Sequence, residues 1–244
     1  MSHESIIEHK KLIVRHSLVE LIEHWVLAIS GFVLLFSGFG QMPIYKRYWI
    51  AKLPGFQWSG DYRISLMVHY VAAAFFIGVA MFHVLYHGLL GHRGLLPKRG
   101  DVRASCTMLK AIVTGCEEPA CEKYLPEQRL AYAYFAAVIF ALIVTGLIKV
   151  YKNFPGAYIS PATALYVTWI HTVATVLFLL GIVAHLGALV FRSNRPMLRG
   201  IFTGKVDLDY VCRRHSIWYE ILHLRHKGTP PPKEEPARTQ EEER

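Results

Sequence analysis

The chain has 244 residues, 53% of them hydrophobic, and a positive mean hydropathy. Four long apolar runs take up much of its length, which excludes a water-soluble protein of several domains and points to one bundle in a membrane. The net charge of +9 does not indicate a nucleic-acid binder, because the charges are confined to the loops, where they report orientation.

Residues 1–17 read as a polar, histidine-containing arm. They include Glu4, Glu8, Lys10, Lys11 and Arg15 and no short apolar stretch with a cleavage site, so the first span is expected to serve as its own insertion signal. That span runs from about Leu18 to Gly40 and carries His24-Trp25 near its start, where tryptophan suits a membrane boundary. Residues 41–64 form a turn-rich loop with Pro43, Pro54, Gly55 and Gly60. Its aromatic cluster, Tyr45, Tyr48, Trp49, Phe56, Trp58 and Tyr62, is expected to lie against the membrane surface or a partner.

The second helix, from about Ile64 to Leu90, carries His69, His83 and His87. A basic loop of about forty residues leads to the third helix, about Glu127 to Val150, which has no histidine. A short loop with Pro155, Gly156 and Pro161 precedes the fourth, Tyr166 to Arg192, with His171 and His185. The predicted organisation is an all-α integral membrane protein, a four-helix bundle over 18–192. A basic extension over 193–228 should hold short helices around Ile201 and Ser216–Leu224. Residues 229–244 are rich in Pro and Glu and predict a disordered tail that cannot bury enough apolar surface to fold alone.

Charge sets the expected orientation. Of the 27 Lys and Arg, 21 fall on the side of the two termini and the second loop, and 6 on the other. Both termini are therefore predicted to be cytoplasmic.

His171 and His185 are fourteen residues apart. That is about 21 Å along a helix and about 40° short of four whole turns, so both imidazoles leave one face at two depths. A polar side chain in the bilayer is costly and needs a partner. The plain reading is hydrogen bonding to neighbouring helices, but two stacked imidazoles are also what a pair of b haems requires, each taking one further nitrogen from another helix. Helices two and four both begin on the outer side, so His69 shares the depth of His171, and His24 that of His185. Iron held by two imidazoles has no open position and passes single electrons. A rival pairing exists: His69 and His83 are also fourteen apart, so His83 rather than His24 could face His185, and His87 is a further ligand choice. Spacing leaves this open.

The four cysteines, Cys106, Cys116, Cys121 and Cys212, include no C-x-x-C-H, which excludes covalently attached haem on this chain. Cys116 and Cys121 with Cys106 match no standard zinc or iron–sulfur spacing. They read as free thiols, with a small metal site as the alternative.

Several segments recur in a known order: His24-Trp25 opening helix one, His69 opening helix two, Lys123-Tyr124 with Gln128 before helix three, and V-T-G at Val144–Gly146. They continue with the His171/His185 pair, G-I-F-T-G-K-V at Gly200–Val206, then His215 and Trp218-Tyr219. In these the chain resembles, over roughly residues 8–221, the b-type cytochrome (gamma) subunit of respiratory formate dehydrogenase. More broadly it is similar to the four-helix cytochromes of membrane-bound nickel–iron hydrogenases and related reductases. The resemblance implies two haem b groups, an outer one on His69 and His171 and an inner one on His24 and His185. It further implies electrons arriving from an iron–sulfur subunit, itself fed by a catalytic oxidoreductase subunit, and leaving to menaquinone or ubiquinone near the cytoplasmic face. His83 and His87 are outside that pattern. The family's quinone-binding asparagine corresponds to Leu125 here, so Gln128, Glu127 or Arg129 would have to serve, unless these residues only cap helix three.

The chain carries no catalytic metal-binding domain, nucleotide loop or nucleophile constellation, and so reads as an electron-transfer subunit, not a catalyst alone. The alternatives are the cytochrome of a nickel–iron hydrogenase or a sulfur-compound reductase and, in a different class, a haem-free anchor or proton-coupled transporter.

Overall fold

The long helices start on capping residues or on a proline of the first turn. A computed structural model describes residues 6–7, 11–47 and 49–226. In chain order come strands β1 (Ile6–Ile7) and β2 (Leu12–Val14), then helices α1 (Leu18–Gly40), α2 (Tyr62–Leu89), α3 (Asp101–Thr114), α4 (Pro126–Tyr151) and α5 (Pro161–Gly187). They are followed by α6 (Pro196–Thr203), β3 (Lys205–Asp207), α7 (Leu208–Arg214) and α8 (Ser216–His226). Four of the helices, α1, α2, α4 and α5 with its short continuation to Val190, are long and apolar enough to cross a membrane. The all-α membrane bundle is therefore as expected.

Ser17 and Glu20 close a reciprocal capping box at α1: Ser17 N–H donates to Glu20 Oε2 at 2.7 Å, and Glu20 N–H to Ser17 Oγ at 3.2 Å. Asp61 Oδ1 accepts from the backbone of Arg63 and Ile64 at α2. Pro126 and Pro161 occupy first-turn positions, where the missing N–H costs nothing. Pro161, expected in the preceding loop, thus begins α5 under a Ser160 cap. Helices α1 and α2 pack as one pair and α4 and α5 as another. Phe76, Val138 and Phe178 join the two pairs at mid-depth. In lipid this packing, not the expulsion of water, holds helices together.

The loop after α1 forms three short helical turns. Tyr45, Phe56 and Trp58 close over Phe36 of α1 at 5.8–6.5 Å between ring centres, while Trp49 and Tyr62 stay exposed. Tyr48 of the same cluster lies outside the described residues.

At the opposite end the arm and the extension fold together. β1, β2 and β3 make an antiparallel sheet in that order, with Ile13 opposite Val206. Its face packs on Tyr210, Val211, Trp218 and Leu222. Neither this sheet, nor α7, nor α3 within the second loop is foreseen above, whereas α6 and α8 match the two short helices expected. Gly204 makes the corner possible. It sits at φ +73°, ends α6, and accepts from Arg15 and His16 N–H at 2.8 and 3.0 Å. A Cβ there would lie 2.6 Å from His16 O, so only glycine fits. Arg15 Nη2 donates to Lys123 O, and His215 Nδ1 to Glu122 O. The arm, second loop and extension therefore meet at one end of the bundle, as four spans require. The 229–244 tail lies outside the described residues.

Candidate functional site

His69 and His171, expected at the outer haem, are fixed by hydroxyls on neighbouring helices. Ser37 Oγ donates to Val33 O at 2.6 Å, which uses its one proton. It must then accept from His69 Nδ1–H, 2.9 Å away. Thr145 repeats the device on α4: Oγ1 donates to Ala141 O at 2.6 Å and accepts from His171 Nδ1–H at 2.8 Å. Both rings are thereby assigned the tautomer whose Nε2 carries a lone pair, the form a metal takes. Gly38 and Gly146 stand beside the ring edges. A Cβ would lie 3.4 Å from His69 Cε1 at the first and 3.6 Å from His171 Cε1 at the second, in van der Waals contact with each ring.

His24 and His185, expected at the inner haem, approach each other directly. The rings of His24 on α1 and His185 on α5 lie 6.5 Å apart, centre to centre, with planes at 56°. Trp25 meets His24 edge-on at 5.4 Å and Phe135 meets His185 edge-on at 6.2 Å. Trp25 also donates to Ile201 O at 3.1 Å and packs at a tilt against Phe202, 4.9 Å between ring centres, tying the start of α1 to α6.

His83 occupies different surroundings. Its Nδ1 is 3.0 Å from Glu23 Oε2 and its Nε2 is 3.2 Å from Tyr132 OH. His87 Nε2 also reaches Glu23 Oε2 at 3.0 Å. Glu23, which spacing arguments do not single out, is a carboxylate within an apolar span and calls for a partner; the i, i+4 spacing of His83 and His87 supplies one.

The residues expected at a quinone are engaged unequally. Arg129 forms a two-pronged ion pair with buried Asp101 at 2.6 and 2.8 Å, and donates to Tyr124 O. Its guanidinium holds the Asp101 carboxyl below the usual carboxylate range. Gln128 Oε1 caps α4 through Leu125 N–H at 3.1 Å. Glu127 approaches Arg214 at 3.8 Å through Oε1, and its Oε2 is buried with no hydrogen-bond partner among the described residues. The cysteines are all free. Cys106 and Cys116 are exposed, and burial pushes the Cys121 thiol up to about 11. Among the described residues they form no metal-binding group.

Four membrane-length helices with histidines from different helices facing each other are the build of a membrane cytochrome b. The model of the prokaryotic cytochrome b561 family matches residues 15–204, and the chain belongs to that family. It is 24% identical over 219 residues to the formate dehydrogenase cytochrome b556 subunit of Haemophilus influenzae, covering 86% of this chain and 84% of that one. It is 22% identical over 221 residues to the nitrate-inducible formate dehydrogenase cytochrome b556(Fdn) subunit of Escherichia coli K12, covering 87% and 92%. The family implies haem b, and the separation of His24 and His185 fits it. With metal–imidazole bonds of about 2 Å and ring centres roughly 1 Å behind the nitrogens, two axial imidazoles stand about 6 Å apart. His24 and His185 are at 6.5 Å.

Proposed function

We propose that the chain is the dihaem cytochrome b subunit of a formate dehydrogenase-type complex. It would accept electrons on the outer side from an iron–sulfur subunit, fed in turn by a catalytic subunit, and release them to menaquinone or ubiquinone near the cytoplasmic face. Haem bound at these positions supplies a one-electron iron couple. The residues do the rest. His69 and His171 hold the outer group with Nε2 presented by the Ser37 and Thr145 hydroxyls. His24 and His185 hold the inner group, and the observation that carries this reading is their 6.5 Å ring separation. His83, with Glu23 and Tyr132 on its two nitrogens, is the weaker ligand choice. The domain division follows: 18–192 as the cytochrome, with 1–17 and 193–228 as its cytoplasmic cover.

Glu127 is the best-placed of the three polar groups for quinone, because among the described residues its Oε2 is buried without a hydrogen-bond partner, whereas Gln128 and Arg129 are engaged with Leu125 N–H and Asp101. Glu127 lies about two turns from Phe135, whose ring touches that of His185. Gln128 and Arg129 would support this site as cap and ion pair.

A pyridine haemochrome assay on purified protein should return two non-covalent b haems per chain. One haem would remove the dihaem reading, and none would favour the transporter. Cysteine probes test orientation: one in residues 41–60 should label from outside, and one after Arg199 should not. The reverse pattern would invert the topology.

A further inference from the structure

Outside the four paired histidines, three metal-ligating side chains meet at the end of the bundle that the arm and extension cover. Glu23 on α1 faces His83 and His87 on α2, and one ligand atom from each lies within 4.8 Å of the other two. We propose that these three residues bind a divalent transition-metal ion of the zinc class, separate from the haem irons.

The donor set is right for such an ion: two imidazoles and a carboxylate, which suit zinc and leave a fourth position for water. The distances are close to those of a loaded site. Bonds of about 2.0–2.2 Å place tetrahedral ligand atoms roughly 3.3–3.5 Å apart. Glu23 Oε2 stands 3.0 Å from His83 Nδ1 and 3.0 Å from His87 Nε2. A few tenths of an ångström of expansion admits the ion.

The surroundings are also built for it. A ligating histidine donates its other ring N–H to an acceptor that fixes its orientation. His83 Nε2 is 3.2 Å from Tyr132 OH, and His87 Nδ1 is 2.9 Å from His92 Nδ1. Both ligating nitrogens therefore point at Glu23 while both remaining nitrogens have partners pointing away from it. Glu23 is only 7% exposed, and among the described residues its buried Oε1 has no hydrogen-bond partner. A carboxylate this enclosed, with Oε2 shared by two imidazoles that converge on it, is placed to hold a cation among the three side chains. Once bound, the ion would staple the start of α1 to the end of α2 and, through Tyr132, to α4.

The test uses the purified full chain, treated with a chelator, dialysed and titrated with zinc chloride against a fluorescent zinc competitor. Total zinc and iron are read by mass spectrometry, and folding by circular dichroism. Wild type should bind one zinc per chain in addition to its iron, with a raised thermal midpoint. His87→Ala and the near-isosteric Glu23→Gln should each weaken zinc binding by at least about tenfold, and Tyr132→Phe by about tenfold. All three should keep the helical spectrum. Absence of a one-equivalent site in wild type, or unchanged zinc affinity in folded Glu23→Gln and His87→Ala, would overturn the proposal. Because zinc and folding are read without haem absorbance, a chain found to lack haem would leave this result intact.

Discussion

The two histidine pairs are held by different means. At the outer end each imidazole is gripped by a hydroxyl that is itself anchored to the helix backbone, Ser37 for His69 and Thr145 for His171. At the inner end, among the described residues, neither His24 nor His185 has such a partner. Their rings are positioned by Trp25, Phe135 and each other. Orientation at the outer site is thus written into two hydrogen bonds, while at the inner site it depends on packing and on the sheet-and-helix cover to which Trp25 is tied. Local substitutions should therefore disturb the outer site alone, and disturbance of the cover should reach the inner site first.

The largest expected effect is loss of one haem. His171→Ala or His69→Ala should halve haem content and remove the outer spectral component. His185→Ala or His24→Ala should halve it and remove the inner one. His83→Ala should keep both. Loss of the inner component in His83→Ala with retention in His24→Ala would transfer the inner ligand to His83 and dissolve the comparison.

A smaller effect is expected at the hydroxyls. Thr145→Ala and Ser37→Ala leave the ligands in place but free their rings to turn. Loss of such a supporting hydrogen bond costs on the order of 10–100-fold in metal-site affinity. Haem transfer to an acceptor globin should speed up by about that factor at the outer site, and the outer midpoint potential should shift. Equal acceleration at both sites would mean that the hydroxyls support the bundle, not the imidazoles.

Much of this was legible in the sequence where periodicity and composition carry the signal. The long apolar runs placed the spans within a few residues, and the fourteen-residue histidine spacing put two imidazoles on one face of α5. What stayed hidden depends on distant partners. The strands β1, β2 and β3 are two or three residues long, too short for an alternating pattern, and β2 meets β3 across most of the chain. Helix α3 was hidden in a basic loop, although Gly100 and Gly115, both in the left-handed region, bracket it. Ser37 is an ordinary apolar-span serine until His69 is brought beside it. Glu23 was the missed warning, since an acid within a span always raises the question of its partner.

The smallest effect comes from pH and acts through the cover. His215 is fully buried. Its Nδ1 donates to Glu122 O at 2.6 Å, and its Nε2 accepts from Arg15 at 3.4 Å. The groups around it are Arg15, Arg214, and the rings of Tyr210 and Trp218. Burial first, then the Arg15 charge, pushes His215 down to about 3, and burial also lowers His16 nearby. A histidine depressed in the folded state leaves stability intact above its unfolded value of about 6.5, and stability falls as pH drops from there towards the folded value. The slope is about 1.4 kcal/mol per pH unit for one such group. Acidification from pH 7 to 5 should therefore loosen the contact of Trp25 with Ile201 and alter the inner haem spectrum before the outer one. His215→Gln, which carries no titrating proton, should flatten that response in a spectroscopic pH titration, at some cost in stability at neutral pH. If both haem components change together in wild type, or if His215→Gln keeps the full response, the inner site does not lean on the cover.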